Sequence, residues 1–281
     1  VKAFLESAFF YTYDAREPGW AVRRDEAAVG RVRMAGGALH HAALFAAGAP
    51  EWDRKAAPAV PKEKGKKAIE ELEARMKGLG PSRRTAAVRD LAAINAPETV
   101  PALVRHLSES DSAVKRAAIQ ELGGSGDARA SDALIAILGK SRADVPVFAE
   151  LVKALARLGD ERSVDPLLKQ IDLGEATLAS TVVAGLPDLL LQVRSRDPHE
   201  KAMARLVGIY EAADGVAKGE GVALDPLAKT LRPADAEMLA RTVRDGLKRL
   251  TGAEFASGDA ARTWWNSRDN REKYFKDRSG R

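Results

Sequence analysis

Residues 114–138 read VKRAAIQELGGSGDARASDALIAIL, and two neighbouring stretches say nearly the same thing: TAAVRDLAAINAPETVPALVRHL at 85–107 and FAELVKALARLGDERSVDPLLKQI at 148–171. Laid under one another, they put Asn95, Gly126 and Gly159 in one column, and Leu103, Leu134 and Leu167 in a second column eight places on. A period of about 30 residues is the range of helical solenoids. Each unit of such an array is too small to bury both its faces, and stacking supplies the missing cover.

Each unit reads as two helices joined by a short turn. In the middle unit Asp111 or Ser112 can cap the first helix, whose buried side carries Val114, Ala117, Ala118, Ile119 and Leu122. Gly123, Gly124 and Gly126 end it, glycine being free to take the positive φ of a tight corner. Ala130, Ala133, Leu134, Ile137 and Leu138 form the inward side of the next helix. The third unit repeats this with Val147, Leu151, Ala154, Leu155 and Leu158, a Gly159-Asp160 turn in which Asp160 caps, and then Val164, Leu167, Leu168 and Ile171. Asp165-Pro166 places proline in a first helical turn, where its missing N–H is harmless, and Pro101 has the same place in the first unit. The expected fold is therefore all-α, an α-α superhelix, preceded by a poorly determined N-terminal segment.

The pattern, an apolar residue with paired alanines, then Leu-Gly, Gly-Asp and a Pro-x-Leu-like helix, resembles bacterial HEAT-like repeats of the phycocyanobilin-lyase type. The resemblance covers residues 82–174 well and 175–250 loosely, and it implies a fold with little bearing on activity. The chain departs from it at Asn95-Ala96-Pro97, where Gly-Asp is expected, and at Phe148, where arginine is usual. The closing stretch, Leu250-Thr251-Gly252 followed by Phe255 and Ala261-Arg262-x-Trp264-Trp265, is similar to the end of many bacterial HEAT-repeat proteins of unassigned role. Physically, Trp264 and Trp265 are large enough to cover the open end of the last helix pair.

Outward from the repeats the signals weaken. The chain divides by composition into a segment and linker at 1–65, the repeats at 66–251, and a cap with a basic tail at 252–281. Phe4 to Tyr13 is an aromatic start followed by the turn-like Glu17-Pro18-Gly19, with no clear period past Trp20. Residues 29–49 combine Arg31 and Arg33 with a weakly apolar run and Ala47-Gly48-Ala49, the small-residue spacing of a signal-peptidase site. His40, His41 and Pro50 argue instead for an Ala-rich helix, so cytoplasmic and exported compartments both stay open. Ala56–Lys67, with Pro58, Pro61 and four lysines, reads as a linker, and Ala68–Lys77 as an amphipathic helix with Ile69, Leu72 and Met76 on one face. After Gly174, Pro187 should kink or split a helix over 176–193. His199–Ala213 reads as a helix with Met203, Leu206, Val207 and Tyr210 inward, Gly215–Gly221 as a loop, and Leu224–Leu231 as a short helix. Pro233 starts a last helix with Met238, Leu239, Val243, Leu247 and Leu250 on one stripe.

Composition bounds the chemistry. The 281 residues are 45% hydrophobic and 5% aromatic, which suits helices packed through alanine and leucine. The net charge of +5 comes from 45 basic against 40 acidic residues, a mixed surface rather than a concentrated basic one. With no cysteine, disulfides and zinc-thiolate sites are excluded, and no apolar run approaches the length of a membrane span. His40, His41, His106 and His199 show no i, i+4 zinc spacing, and a solvated or capping role is expected for them. Gly123-Gly124-Ser125-Gly126 lacks the lysine and preceding strand of a phosphate loop. No catalytic, cofactor or metal residue is assigned, and the chain is not read as an enzyme.

The expected role is a non-catalytic scaffold or adaptor that binds another protein on the concave face lined by the second helices, with Arg105, His106, Lys169 and Gln170 exposed there. The alternative is nucleic-acid binding through a basic groove and the tail, which mixes Trp264, Trp265, Tyr274 and Phe275 with six arginines and lysines from Arg268 to Arg281. A lyase or DNA-glycosylase on helical repeats would need a deep pocket of convergent polar groups.

Overall fold

The computed structural model describes residues 62–220 and 225–279 and, as backbone, two strands near the start of the chain. The chain divides into two compact units, Val1–Pro58 and Ala59–Arg281. In the first, β1 (Phe9–Tyr13) pairs antiparallel with β2 (Trp20–Arg24), Phe9 opposite Arg24 and Tyr13 opposite Trp20. Aromatic and β-branched residues suit a pleated surface, which is what the aromatic start becomes. Glu17-Pro18-Gly19 and the signal-like stretch at 29–49 lie outside the described residues.

The described part of the second unit is built from α-helices: α1 Lys62–Met76, α2 Pro81–Ala93, α3 Thr99–Arg105, α4 Ser112–Gly123, α5 Ala128–Leu138 and α6 Val145–Leu158. They continue as α7 Val164–Asp172, α8 Ala176–Gln192, α9 Arg196–Lys218, α10 Pro233–Thr251, α11 Gly258–Asn266 and α12 Arg268–Ser279. The linker expected up to Lys67 is thus already helical from Lys62, because Ile69 and Met76 bury against the array and extend the helix backward from that anchor.

Two rows result. Helices α2, α4, α6, α8 and α10 pack successively in one row. Helices α3, α5, α7, α9 and α11 form the other, with α5 meeting the helical turn Glu161–Ser163 that leads into α7. Helix α1 covers α2 and α3 at one end, and α12 packs on α11 at the other. The expected boundary at 251/252 falls within the second unit, between α10 and α11. Helix α11, which carries Trp264 and Trp265, packs on α9 in the second row, and α12 closes the row.

One core runs between the rows from Ile69 to Phe275. Leu103, Leu134 and Leu167 are all at or below 1% exposure, so the repeat column is the core column. Burying each such leucine contributes about 1.5–3 kcal/mol. Phe148, where the pattern has arginine, is wholly buried in the first turn of α6 and belongs to the same core as Leu151 and Leu155.

Several details depart from the sequence reading. Helix α8 is unbroken through Pro187, whose ring packs where Gly246 of α10 has no side chain; a Cβ there would lie 2.7 Å from the proline Cγ. The expected loop at 215–218 is the last turn of α9, which ends at left-handed Gly219. The expected helix at 224–231 is a single 3-10 turn, Ala228–Thr230, preceded by residues outside the described set. Met238 points to solvent at 59% exposure, its place on the buried stripe taken by Ala236 and Ala240.

Candidate functional site

The turns between the two rows are the most regular feature of the array. Asn95, Gly126 and Gly159 have φ of 50°, 66° and 66°, so the column found in the sequence is a column of left-handed residues. Asn95 serves because asparagine tolerates that region better than most side chains. After the last two glycines come Asp127 and Asp160. Each accepts a backbone bond from the residue two places on, at 2.8 Å from Arg129 and 3.0 Å from Arg162.

The same arginines fold back onto those carboxylates, the shorter bonds being 2.7 Å and 2.6 Å. They also reach the preceding turn, Arg129 to the Pro97 carbonyl at 3.2 Å and Arg162 to the Ala128 carbonyl at 3.4 Å. Each guanidinium hydrogen-bonded to its aspartate holds that carboxyl below the usual carboxylate range, against the opposing effect of burial. Gly126 and Gly159 are left-handed, and Asp160 caps the helical turn that follows. Arg129 and Arg162 were missed, although the shared Gly-Asp-x-Arg spelling was visible.

On the surface of the second row, successive helices are tied by ion pairs about one repeat apart in sequence. Asp132 of α5 meets Arg162 at 2.6 Å, Asp165 of α7 meets Lys201 of α9 at 2.5 Å, and Asp172 meets Arg205 at 2.9 Å. Between α7 and α9 lies an open groove of about 450 Å³ lined by Asp165, Leu168, Lys169, Asp172, Lys201, Ala204 and Arg205. Burial opposes the charge on Arg205, but Asp225 and Asp172 outweigh it and raise its pKa above the ordinary value. Lys169 has no ion pair among the described residues and is the uncommitted cation of the groove.

The expected contact residues fare unequally. Arg105 is exposed and donates to Glu73 of α1 at 2.7 Å. His106 is half-buried beside it, with Nδ1 3.3 Å from Glu109. Lys169 is exposed in the groove, but Gln170 is 6% exposed, a correction to the expected surface position. Its amide faces inward, where the carbonyl oxygen accepts from Arg142 at 3.2 Å. Residues 105–106 and 169–170 sit on α3 and α7 with α5 between, so the fold does not gather them into one site. Lys201 and Arg205 were missed, although charge complementarity at one-repeat spacing from Asp165 and Asp172 could have found them.

At the closing end, the tail aromatics are inside. Trp265, Tyr274 and Phe275 are buried and Trp264 is partly buried, the rings meeting at 5.2–6.4 Å between centroids. Arg278 donates to the Leu190 and Val193 carbonyls at 2.9 and 2.7 Å, satisfying groups that the end of α8 leaves free. His199, expected to be solvated or capping, is 1% exposed and meets the Tyr274 hydroxyl at 2.6 Å. Burial pushes its imidazole down from 6.5 to about 3, the Arg278 charge adds to this, and the Leu190 carbonyl opposes it. Aromatic rings committed to this cap are not free to stack on bases. Among the described residues no group of three or more His, Asp or Glu could hold a metal ion, and no helix is long and apolar enough to cross a membrane.

Two family models match the chain, one described as HEAT repeats over residues 69–149 and one as a PBS lyase HEAT-like repeat over 147–172. Over residues 69–172 the chain is built of HEAT-like repeats. The matched HEAT span runs from α1 to the end of α7, the part whose turns carry the left-handed column. Among solved structures, the chain is similar to human deoxyhypusine hydroxylase in complex with glycerol. That match has 12% identity and a TM-score of 0.41, over 78% of this chain and 96% of the other, a likeness too distant to inform function. No curated protein sequence matches the chain.

Proposed function

We propose that this protein is a non-catalytic scaffold that holds another protein against the second-row face, the side that stacked repeats present as an extended concave surface. The observation that carries the reading is the groove between α7 and α9. It is broad and open, floored by Leu168 and Ala204, and rimmed by cations and carboxylates at regular spacing. The Lys201–Asp165 pair is largely exposed, by 61% and 66%, and such a pair is worth only about 0–1 kcal/mol, so a partner's charges can replace it at small cost. Lys169 supplies a charge that no carboxylate among the described residues pairs with.

The test is capture from a native extract with the full chain, followed by mass spectrometry, with and without nuclease, beside a Lys169→Glu/Lys201→Glu variant. One protein retained by the wild type after nuclease, and lost by the variant, supports the scaffold. Retention of the same protein by both, or loss of every partner after nuclease, refutes it.

A further inference from the structure

The outward stripe of the first row differs from the second-row face in how its charges are matched. Aligning α2, α4 and α6 by their repeat columns puts Arg89, Gln120 and Lys153 at equivalent exposed positions, with Arg116 one turn earlier on α4. Arg89, Arg116 and Lys153 are exposed, and none has an ion pair among the described residues. The second-row face, by contrast, pairs Arg105, Arg162, Lys201 and Arg205 with carboxylates of neighbouring elements, leaving Lys169 without an ion pair among the described residues. The carboxylates near the stripe are Asp90, Glu121 and Glu150, of which only Glu150 is in a pair, with Arg157 at 3.8 Å.

We infer that this stripe is a second docking surface and that it fits an acidic α-helical segment of a partner protein laid across the row. Charge complementarity gives the sign. Spacing gives the shape. Neighbouring packed helices are about 8–10 Å apart, and residues i and i+7 on a helix are separated by about 10.5 Å, so carboxylates one heptad apart meet one cation per helix. The exposed neighbours Ala86, Ala93 and Ala113, and the partly buried Ala149, are small enough to admit a helix close to the row. Double-stranded DNA fits poorly, because it carries a charge every 1.7 Å or so of axis and the stripe offers about one cation per helix width. This surface is independent of the groove between α7 and α9.

The experiment uses the full chain and a fluorescein-labelled helical peptide with Glu at three successive heptad positions on an Ala/Gln background. Controls are the same peptide with Gln at those positions and a duplex of about 20 base pairs, all read by fluorescence anisotropy. The acidic peptide should bind. Each of Arg89→Gln, Arg116→Gln and Lys153→Gln should weaken it about 2–5-fold, the range of single exposed ion pairs. Arg89→Glu/Arg116→Glu/Lys153→Glu together should abolish binding with the helical circular dichroism unchanged, and Lys169→Glu/Lys201→Glu should leave it intact. No binding of the acidic peptide, equal binding of the Gln peptide, tighter binding of the duplex, or indifference to the triple reversal overturns the inference. Failure of the groove variant in the capture assay would leave this result untouched, so the two readings fall separately.

Discussion

Replacing the two turn glycines separates conformation from packing, because they share a backbone and differ in surroundings. Gly126 and Gly159 both have φ of +66°, and a left-handed residue with a Cβ costs about 1–2 kcal/mol. At Gly126 a Cβ meets nothing within 4 Å, so Gly126→Ala should cost about 1–2 kcal/mol. At Gly159 it would lie 2.7 Å from Gln192 Oε1 and 2.9 Å from Gln192 Cβ. Clearing that contact moves a side chain whose Nε2 donates to the Ala156 carbonyl at 2.6 Å. Losing this bond adds about 1 kcal/mol, so Gly159→Ala should cost about 2–3 kcal/mol. Gly139, with φ of −66° and open space around it, is the control: Gly139→Ala should be neutral or stabilising by up to about 1 kcal/mol. Urea unfolding followed by helical circular dichroism gives the three midpoints. Equal losses at 126 and 159, or a loss at 139 matching that at 126, would refute the assignment of these turns.

Phe148→Ala leaves a cavity in the core beside the first turn of α6 and should cost about 3–5 kcal/mol in the same assay. Asp160→Ala removes a cap and should cost about 0.5–2 kcal/mol at pH 7. The folded pKa of Asp160 lies below its unfolded 3.8, so the wild-type contribution is complete above that value and is lost as pH falls through the folded pKa. The gap between wild type and Asp160→Ala should therefore close in strong acid. His199 runs in the same sense for a different reason. Its folded pKa of about 3 lies below the unfolded 6.5, the unfolded chain binds the extra proton between them, and stability should fall from pH 6.5 downward with a slope approaching about 1.4 kcal/mol per pH unit. His199→Phe should flatten that slope between pH 6.5 and 5, and the wild-type imidazole NMR signals should not titrate between pH 8 and 4; a midpoint above 5 would contradict its burial. Tyr274→Phe, which leaves the His199 nitrogen without its hydroxyl partner, should cost about 1–3 kcal/mol.

Legibility followed the range of the interactions. The helices of the central repeats could be read because an apolar stripe, a capping aspartate and a left-handed glycine all act within one or two turns. The exposure of Gln170 was misread because its neighbours Ile171 and Leu167 define the buried face, and only Arg142, from the previous repeat, draws the amide inward. His199 was misread for the same reason at longer range, its partner Tyr274 being 75 residues away. The groove residues Lys201 and Arg205 carry no local signature, since their meaning lies in Asp165 and Asp172 on another helix.

By itself the sequence determined that paired helices repeat, where the turns of the three central repeats fall, and which of their leucines face inward, because helical period and left-handed turns are local properties of the chain. The tertiary structure alone decided that α11 packs on α9 in the second row, that the tail aromatics cover an open end, and which surface cations are neutralised by a neighbouring repeat. Those outcomes depend on groups brought together by stacking, and no window along the chain contains both members of such a pair.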